Sequence, residues 1–352
     1  MQNGPTGRTG RTETAVLLSE VQTEIRDLFS DFFRRQSPTS IVREAEPLGF
    51  DKDLWQRLIT TGATGMAVPE EAGGGGSTLS DLVMVAEEVG RAIAPVPLLE
   101  HQVAARAHPE PSLVSGERIA GFAPRPADAN GLWSLVPGGA VADVVLGLDG
   151  EEFVAVTSPA PGTGPANYGS SPLADRSARA GERVVLGGAE EFTRARDEWL
   201  VLLSAALAGI ATSALDIAIT YVNERKQFGV PIGSFQAVQQ GLAELPGLIA
   251  GAQLLVHKAA WAADGGSAGT ASGDVDDVDD NAIRTPAALA SMAFVFASDV
   301  AATATDRSLH YHGGYGFAEE YDIQLFYRRA RGWPLAYSDQ DRESLRLADQ
   351  LF

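Results

Sequence analysis

The sequence predicts a mainly α protein in which a small β-domain separates an N-terminal helical domain from a C-terminal four-helix bundle. Three observations carry this reading. Up to about residue 112, apolar residues recur at spacings of three and four, the signature of helices with one buried face. From about 113 to 192 the chain breaks into short runs of β-branched and apolar residues separated by Gly and Pro. From about 193 to 352 long helical patterns return.

In order along the chain, residues 1–13 are polar and Gly-rich and read as disordered, without a secretory signal. The helical domain runs from Thr14 to about 112; Leu17, Leu18, Val21, Ile25, Leu28 and Phe32, at spacings of three and four, mark its first helix. Shorter helices fit Ile41–Leu48 and Lys52–Thr61. Pro69 and Gly73–Gly76 form a loop, and Asp81–Ile93 carries one apolar stripe ended by Pro95 and Pro97. Leu98–Ala107 closes the helical domain. Arg118–Phe122, Leu132–Val136, Val141–Leu148, Phe153–Thr157 and Arg183–Leu186 read as strands of a small antiparallel sheet.

The bundle begins with a helix from Arg194 to about Lys226, followed by one from Phe235 to Ala263 that Pro246 should kink near Leu242. Ser234 is placed to cap that second helix. Gly265–Asp280, Gly/Ser-rich and then acidic, has no apolar set for a core and reads as a mobile loop. A third helix runs from Thr285, with Pro286 in its first turn, to Tyr311. A fourth starts near Tyr321 and a last covers Asp341–Leu351.

Composition narrows the function. Of the 352 residues, 45% are hydrophobic, enough for a folded core, and the net charge is −19. Such an acidic chain repels nucleic acid and anionic membrane. Trp199–Leu215 is a run of 17 uncharged residues, short of the roughly 20 needed to cross a bilayer and suited to the centre of a soluble bundle. No cysteine is present, which removes disulfides, thiolate nucleophiles and iron–sulfur ligation and agrees with a cytoplasmic location. Five scattered histidines make no metal set.

Chemistry concentrates at the join between the first two bundle helices, Glu224–Gln240, which reads ERKQFGVPIGSFQAVQQ. Arg225 offers a planar fork of donors to a phosphate, Gln227 an amide, and Phe228 a face for stacking, at a corner broken by Gly229 and Pro231. An ordinary interhelical loop with solvated Arg and Gln is the alternative reading of the same residues.

This corner resembles the R-x-x-F-G-x-P-I-x-x-F-Q stretch of the acyl-CoA dehydrogenase family. The resemblance continues in the family's order, through Val68-Pro69-Glu70-Glu71, Gly73-Gly74 and Glu87-Glu88-Val89-Gly90-Arg91 upstream, and His310-Tyr311-His312-Gly313-Gly314-Tyr315-Gly316-Phe317 downstream. It implies the family's helix, sheet, helix architecture and a flavin, FAD, whose pyrophosphate and adenosine end is held across a subunit interface. The residues carried over are Arg225, Gln227, Phe228, Phe235, Gln236, His310, Gly313 and Gly314. His310 stands where many members have Gln, and Gly313-Gly314 also suits a plain helix C-cap.

The departures are informative. Members holding flavin in their own β-domain carry T-E-x-x-G-S-D after the first strand; here Gly121-Phe122-Ala123 passes into Pro124-Arg125-Pro126. Neither that motif nor the tryptophan-bearing strand that flanks the flavin ring is visible. The family's carboxylate base removes the proton α to a thioester carbonyl. Its usual position falls on Tyr337, a phenol with a pKa of about 10. Its minority position falls on Trp199, with Glu198 one residue, or about 100° of helix, away. Asp197 and Glu198 also read as acids favouring a helix N-terminus, and Asp339 and Asp341 are spare acids.

The resemblance is to the degenerate subunit of actinobacterial steroid-type acyl-CoA dehydrogenases, which are heterotetramers. It implies an acyl-CoA dehydrogenase subunit that lends part of an FAD site to a catalytic partner chain, with an acyl-CoA thioester as substrate. A self-sufficient homo-oligomer using Glu198 as a displaced base, and a non-catalytic scaffold or acyl-CoA binder, are the alternatives.

Overall fold

A computed structural model describes residues 18–46, 48–266, 285–338 and 340–352. The N-terminal domain holds α1 (Glu20–Gln36), α2 (Thr39–Ala45), α3 (Lys52–Ile59), α4 (Leu79–Arg91), α5 (Leu98–Ala107) and the short α6 (Pro111–Val114). Side-chain caps set the starts: Ser19 accepts from the Gln22 N–H, Asp51 from Leu54 and Thr78 from Asp81. The capping box of α1 explains why that helix begins at Glu20, although apolar spacing starts earlier. The expected disorder of residues 1–13 and most of the Gly/Ser-rich acidic loop lie outside the described residues.

The β-domain is mixed, correcting the expectation of an antiparallel sheet. Its four-stranded sheet has the order β1 (Ala120–Phe122), β3 (Val144–Asp149), β4 (Glu152–Thr157), β6 (Glu182–Gly187). The β1–β3 pair is parallel, because the intervening chain crosses over through β2 (Leu132–Val136) rather than returning by a tight turn. A second, two-stranded sheet pairs β2 with β5 (Ala174–Ser177), a strand absent from the sequence reading. In β5 the guanidinium of Arg176, 5% exposed, donates to the carbonyls of Gly139, Ala142 and Ser158. A buried cation with satisfied donors does the work of an apolar side chain there and erases the alternating pattern.

The bundle consists of α7 (Ala189–Glu224), α8 and α9 (Gln236–Ala243 and Leu245–Ala263), α10 (Pro286–His312) and α11 (Ile323–Leu335), with α12 (Gln340–Leu351) laid against α10. Pro246 does more than kink the second helix. The chain breaks at Glu244, and Pro246 sits in the first turn of α9, where its missing N–H costs nothing. α7 and the segment Pro286–Phe317 are each long and apolar enough to cross a membrane, yet 78% and 61% of their apolar windows are buried inside the protein. α7 is the central element, flanked by α4, α9, α10 and the sheet. Gly90 of α4 and Gly209 of α7 let the two backbones touch: a Cβ on Gly90 would collide with the Ala206 carbonyl, and one on Gly209 with that of Glu87.

Candidate functional site

α7 stops at Glu224, with Arg225 as its C-cap. The chain then makes a hairpin, β7 (Lys226–Gln227) against β8 (Val230–Pro231), around Phe228 and Gly229. Both turn residues have positive φ, +53° and +83°, as a two-residue hairpin of right-handed twist requires. Gly229 adopts this freely; Phe228 does so under strain, and its ring is 92% exposed. A 3-10 turn, Ile232–Ser234, follows. The hydroxyl of Ser234 donates to the Pro231 carbonyl instead of capping α8, whose N-cap is Phe235 without a side-chain bond. Phe235 meets Phe228 edge to face, centroids 6.3 Å apart.

The glycine turn Gly313–Phe317 meets this corner at Tyr315, where the Arg225 guanidinium lies 5.5 Å from the ring centroid. Added Cβ atoms at Gly313 and Gly314 would meet open space, so an incoming group can reach the backbone there. Arg225, Gln227, Gln236 and His310 are exposed, and among the described residues Arg225 has no ion-pair partner. His312, in contrast, is buried, donates from Nδ1 to the Ser308 carbonyl and stacks on Tyr221 at 3.9 Å. Burial pushes its pKa below the ordinary histidine value. Tyr315 and Phe317, 51% and 69% exposed, extend the aromatic surface. The sequence signal for them was available: two rings set among glycines, off the periodic core positions of α10.

The interior is built differently. Trp199 and Tyr337, at the two positions considered for a base, are both buried. The Trp199 Nε1–H donates to Glu100 Oε1 at 3.2 Å, and the Tyr337 hydroxyl donates to Glu343 Oε2 at 2.9 Å. Burial, then the charge of Glu343, pushes the Tyr337 phenol up to about 12, further from use as a base near neutrality. Glu198 is gripped by Arg106, Nε to Oε2 at 3.0 Å and Nη2 to Oε1 at 3.4 Å, while Arg106 also donates to the Ala67 carbonyl. Neither Glu198 nor Asp197 favours a helix N-terminus, since α7 begins at Ala189 and Glu190 and Glu191 fill its first turn. Asp197 pairs instead with Arg196 and Arg346, both at 3.0 Å. Asp341 is exposed at the start of α12, and Asp339 lies outside the described residues. Glu100, whose proton affinity burial raises, was not legible as a site residue because it sits in an ordinary apolar helix.

The two regions differ as hosts for a flavin. The exposed corner supplies a free cation, stacking faces and an open glycine backbone, which suit a pyrophosphate and a planar ring. Inside, Phe122 at the end of β1 packs against Phe192 at 6.0 Å and Trp199 at 6.4 Å. The cavity left beside Trp199 and Glu100 has a volume of only about 60 Å3, against the roughly 300–1,000 Å3 of small-molecule sites. Trp133 does stand on β2, but its ring is buried against the four-stranded sheet, packed with Val145 and Val154, and its Nε1–H donates to the Leu148 carbonyl of β3. A larger cavity, about 840 Å3, opens where Glu198 and Arg106 form one wall.

Two family models match the chain: the N-terminal domain of acyl-CoA dehydrogenases over residues 19–109, and their C-terminal domain over residues 200–336. Acyl-CoA dehydrogenase IpdE2 of Mycolicibacterium smegmatis is 30% identical over 326 residues, covering 90% of this chain and 94% of that one. Among solved structures, a variant of the Tcur3481-Tcur3483 steroid ACAD superposes with a TM-score of 0.80 at 26% identity, covering 94% of this chain and 97% of the other. The ChsE4-ChsE5 complex from Mycobacterium tuberculosis gives the same TM-score at 24% identity over 95% and 98% of the two chains.

Proposed function

The chain belongs to the acyl-CoA dehydrogenase family, and from that membership we propose that it is the flavin-sharing, non-catalytic subunit of a steroid-type acyl-CoA dehydrogenase. The observation that carries the reading is the contrast between its two half-sites. The corner at Arg225 is exposed and chemically complete, whereas both base positions are aromatic and in contact inside the core, ring centroids 6.1 Å apart.

FAD, when bound, supplies the hydride acceptor for α,β-dehydrogenation of an acyl-CoA thioester. Arg225 would hold its pyrophosphate, with Gln227, Gln236, His310 and the Gly313-Gly314 backbone as polar neighbours and Phe228, Phe235 and Tyr315 as stacking faces. The α-proton would be taken by a carboxylate of a related dehydrogenase subunit. The solved relative named Tcur3481-Tcur3483 steroid ACAD supports that choice of substrate class and partner.

The test is purification alone and after co-expression with a related dehydrogenase subunit, reading the flavin spectrum and the subunit mass. Colourless protein alone, and a yellow, active mixed assembly, is the expected result. Yellow, active homo-oligomers would transfer the chemistry to this chain and to Glu198; a chain that finds no flavin with any partner would make it a scaffold.

A further inference from the structure

Arg225 and the glycine turn Gly313–Phe317 follow different helices, yet a closed circuit of contacts fixes one against the other. The Arg225 N–H donates at 2.8 Å to the carbonyl of Tyr221, one turn back on α7. The Tyr221 ring stacks on His312 at the end of α10, centroids 3.9 Å apart and planes 24° from parallel. Tyr321 packs edge to face against both, 6.3 Å from Tyr221 and 6.1 Å from His312. Tyr315 rests on Tyr321 at 5.7 Å, and the Arg225 guanidinium lies over Tyr315 at 5.5 Å. The inner end of the circuit is anchored, because His312 is 4% exposed and its Nδ1–H donates to the Ser308 carbonyl at 2.7 Å. Half-exposed Tyr315 at the outer end therefore stands on a rigid base.

How the cation is held decides what it can still bind. An aromatic face attracts a guanidinium through the ring quadrupole, which neutralises no charge and leaves the in-plane N–H donors free. Arg106 and Arg346, in contrast, are held by carboxylates, Glu198 and Asp197, each at 3.0 Å, and their donors are engaged. Among the described residues no carboxylate pairs with Arg225, so its charge and its planar fork remain for a phosphate. An exposed arginine without such support would have to be ordered when the ligand arrives, at a loss of affinity.

We infer that Tyr315 is a positioning residue for the shared flavin site: supported by Tyr321, it sets the Arg225 guanidinium beside the glycine turn before the pyrophosphate binds, and its main effect on flavin affinity passes through Arg225. The inference rests on the flavin-sharing reading and deepens it.

A double-mutant cycle tests it on the complex co-expressed with a related dehydrogenase subunit, stripped of cofactor and titrated with FAD by flavin fluorescence. Tyr315→Leu should weaken FAD binding about two- to fivefold, the effect of one exposed cation–π contact. Most of that loss should vanish in the Arg225→Ala background, where the ring has no guanidinium to hold. Tyr315→Phe keeps the aromatic face and should bind FAD like the parent. The isolated chain gives a flavin-free readout by NMR: the Arg225 Nε–H resonance, identified by its loss in Arg225→Lys, should move downfield in Tyr315→Leu and stay in place in Tyr315→Phe. A resonance indifferent to Tyr315→Leu, or a Tyr315→Leu complex that binds FAD like the parent, overturns the inference. Equal losses from Tyr315→Leu with and without Arg225 also overturn it, while leaving the flavin site standing. Unchanged FAD affinity in Arg225→Ala removes the flavin site itself, and this inference with it.

Discussion

Trp199 and Tyr337 meet edge to face in the core, their ring centroids 6.1 Å apart and their planes at 69°. Phe294 adds a second edge-to-face contact to the phenol at 5.6 Å. An aromatic cluster of this kind contributes packing energy and fills the volume that a reactive carboxylate and its substrate would need. Tyr337→Phe should therefore leave acyl-CoA oxidation by the assembled complex unchanged. It should lower stability by about 1–3 kcal/mol, because the 1% exposed Glu343 loses a donor. Steady-state turnover and urea unfolding read the two effects; a variant that folds but loses turnover would return a chemical role to the phenol.

His101 gives the fold a titratable weak point. Its ring is fully buried; Nε2–H donates to the Leu113 carbonyl at 2.9 Å, and Nδ1 accepts the Ala120 N–H at 3.1 Å. That arrangement needs the neutral ring, and burial pushes the pKa down to about 4. Above pH 6.5 both folded and unfolded chains hold His101 neutral, so its contribution is fully present. Between 6.5 and about 4 only the unfolded chain takes the proton, and stability falls by up to about 1.4 kcal/mol per pH unit. Below about 4 the effect levels off. The unfolding free energy measured from pH 7 to 4.5 should show this slope, and His101→Gln should lose that component.

The Gly90–Gly209 contact predicts a steric failure. In Gly90→Ala the new methyl meets the Ala206 carbonyl of α7, which is backbone and cannot swing away. Both helices would have to separate along the junction between the N-terminal domain and the bundle. Overpacking of this kind costs about 1–3 kcal/mol or more. Gly247→Ala, where a Cβ meets nothing within 4 Å, is the control and should be neutral or stabilising. Equal unfolding midpoints for the two variants would contradict the close approach.

What was legible in the sequence divides by range. Leu98–Ala107 and Leu132–Val136 emerge with the predicted bounds because periodicity and flanking Pro and Gly are local signals. The parallel pairing of β1 with β3 is not local, and β5 hides behind Arg176, a cation doing a core residue's work. At the candidate site, Arg225, Phe228 and the glycine turn stand in contiguous motifs that the sequence displays, whereas the approach of Arg225 to Tyr315 joins residues 90 positions apart. The Arg106 grip on Glu198 joins residues 92 positions apart, and no spacing rule reaches that far. That contact weighs against Glu198 as a free base, since both its oxygens face the Arg106 guanidinium.

The last prediction separates the two half-sites by a pair of substitutions. Arg225 is exposed, caps α7 through its backbone N–H to the Tyr221 carbonyl, and carries its guanidinium over Tyr315. Arg225→Ala keeps the backbone cap, so the subunit should fold and assemble. A charge-assisted hydrogen bond contributes about 1.5–3 kcal/mol, so FAD affinity of the assembled complex should fall ten- to a hundredfold. Arg225→Lys keeps the charge and loses the planar fork, and should land between the two. Glu198→Gln removes one charge of a partly buried pair far from that corner; it should change stability modestly and leave turnover of the co-expressed complex near the parent value. Bound FAD by absorbance and acyl-CoA oxidation are measured on the same preparations. Full flavin retention in Arg225→Ala removes the shared half-site. Loss of turnover in a folded, flavin-loaded Glu198→Gln complex places the base in this chain.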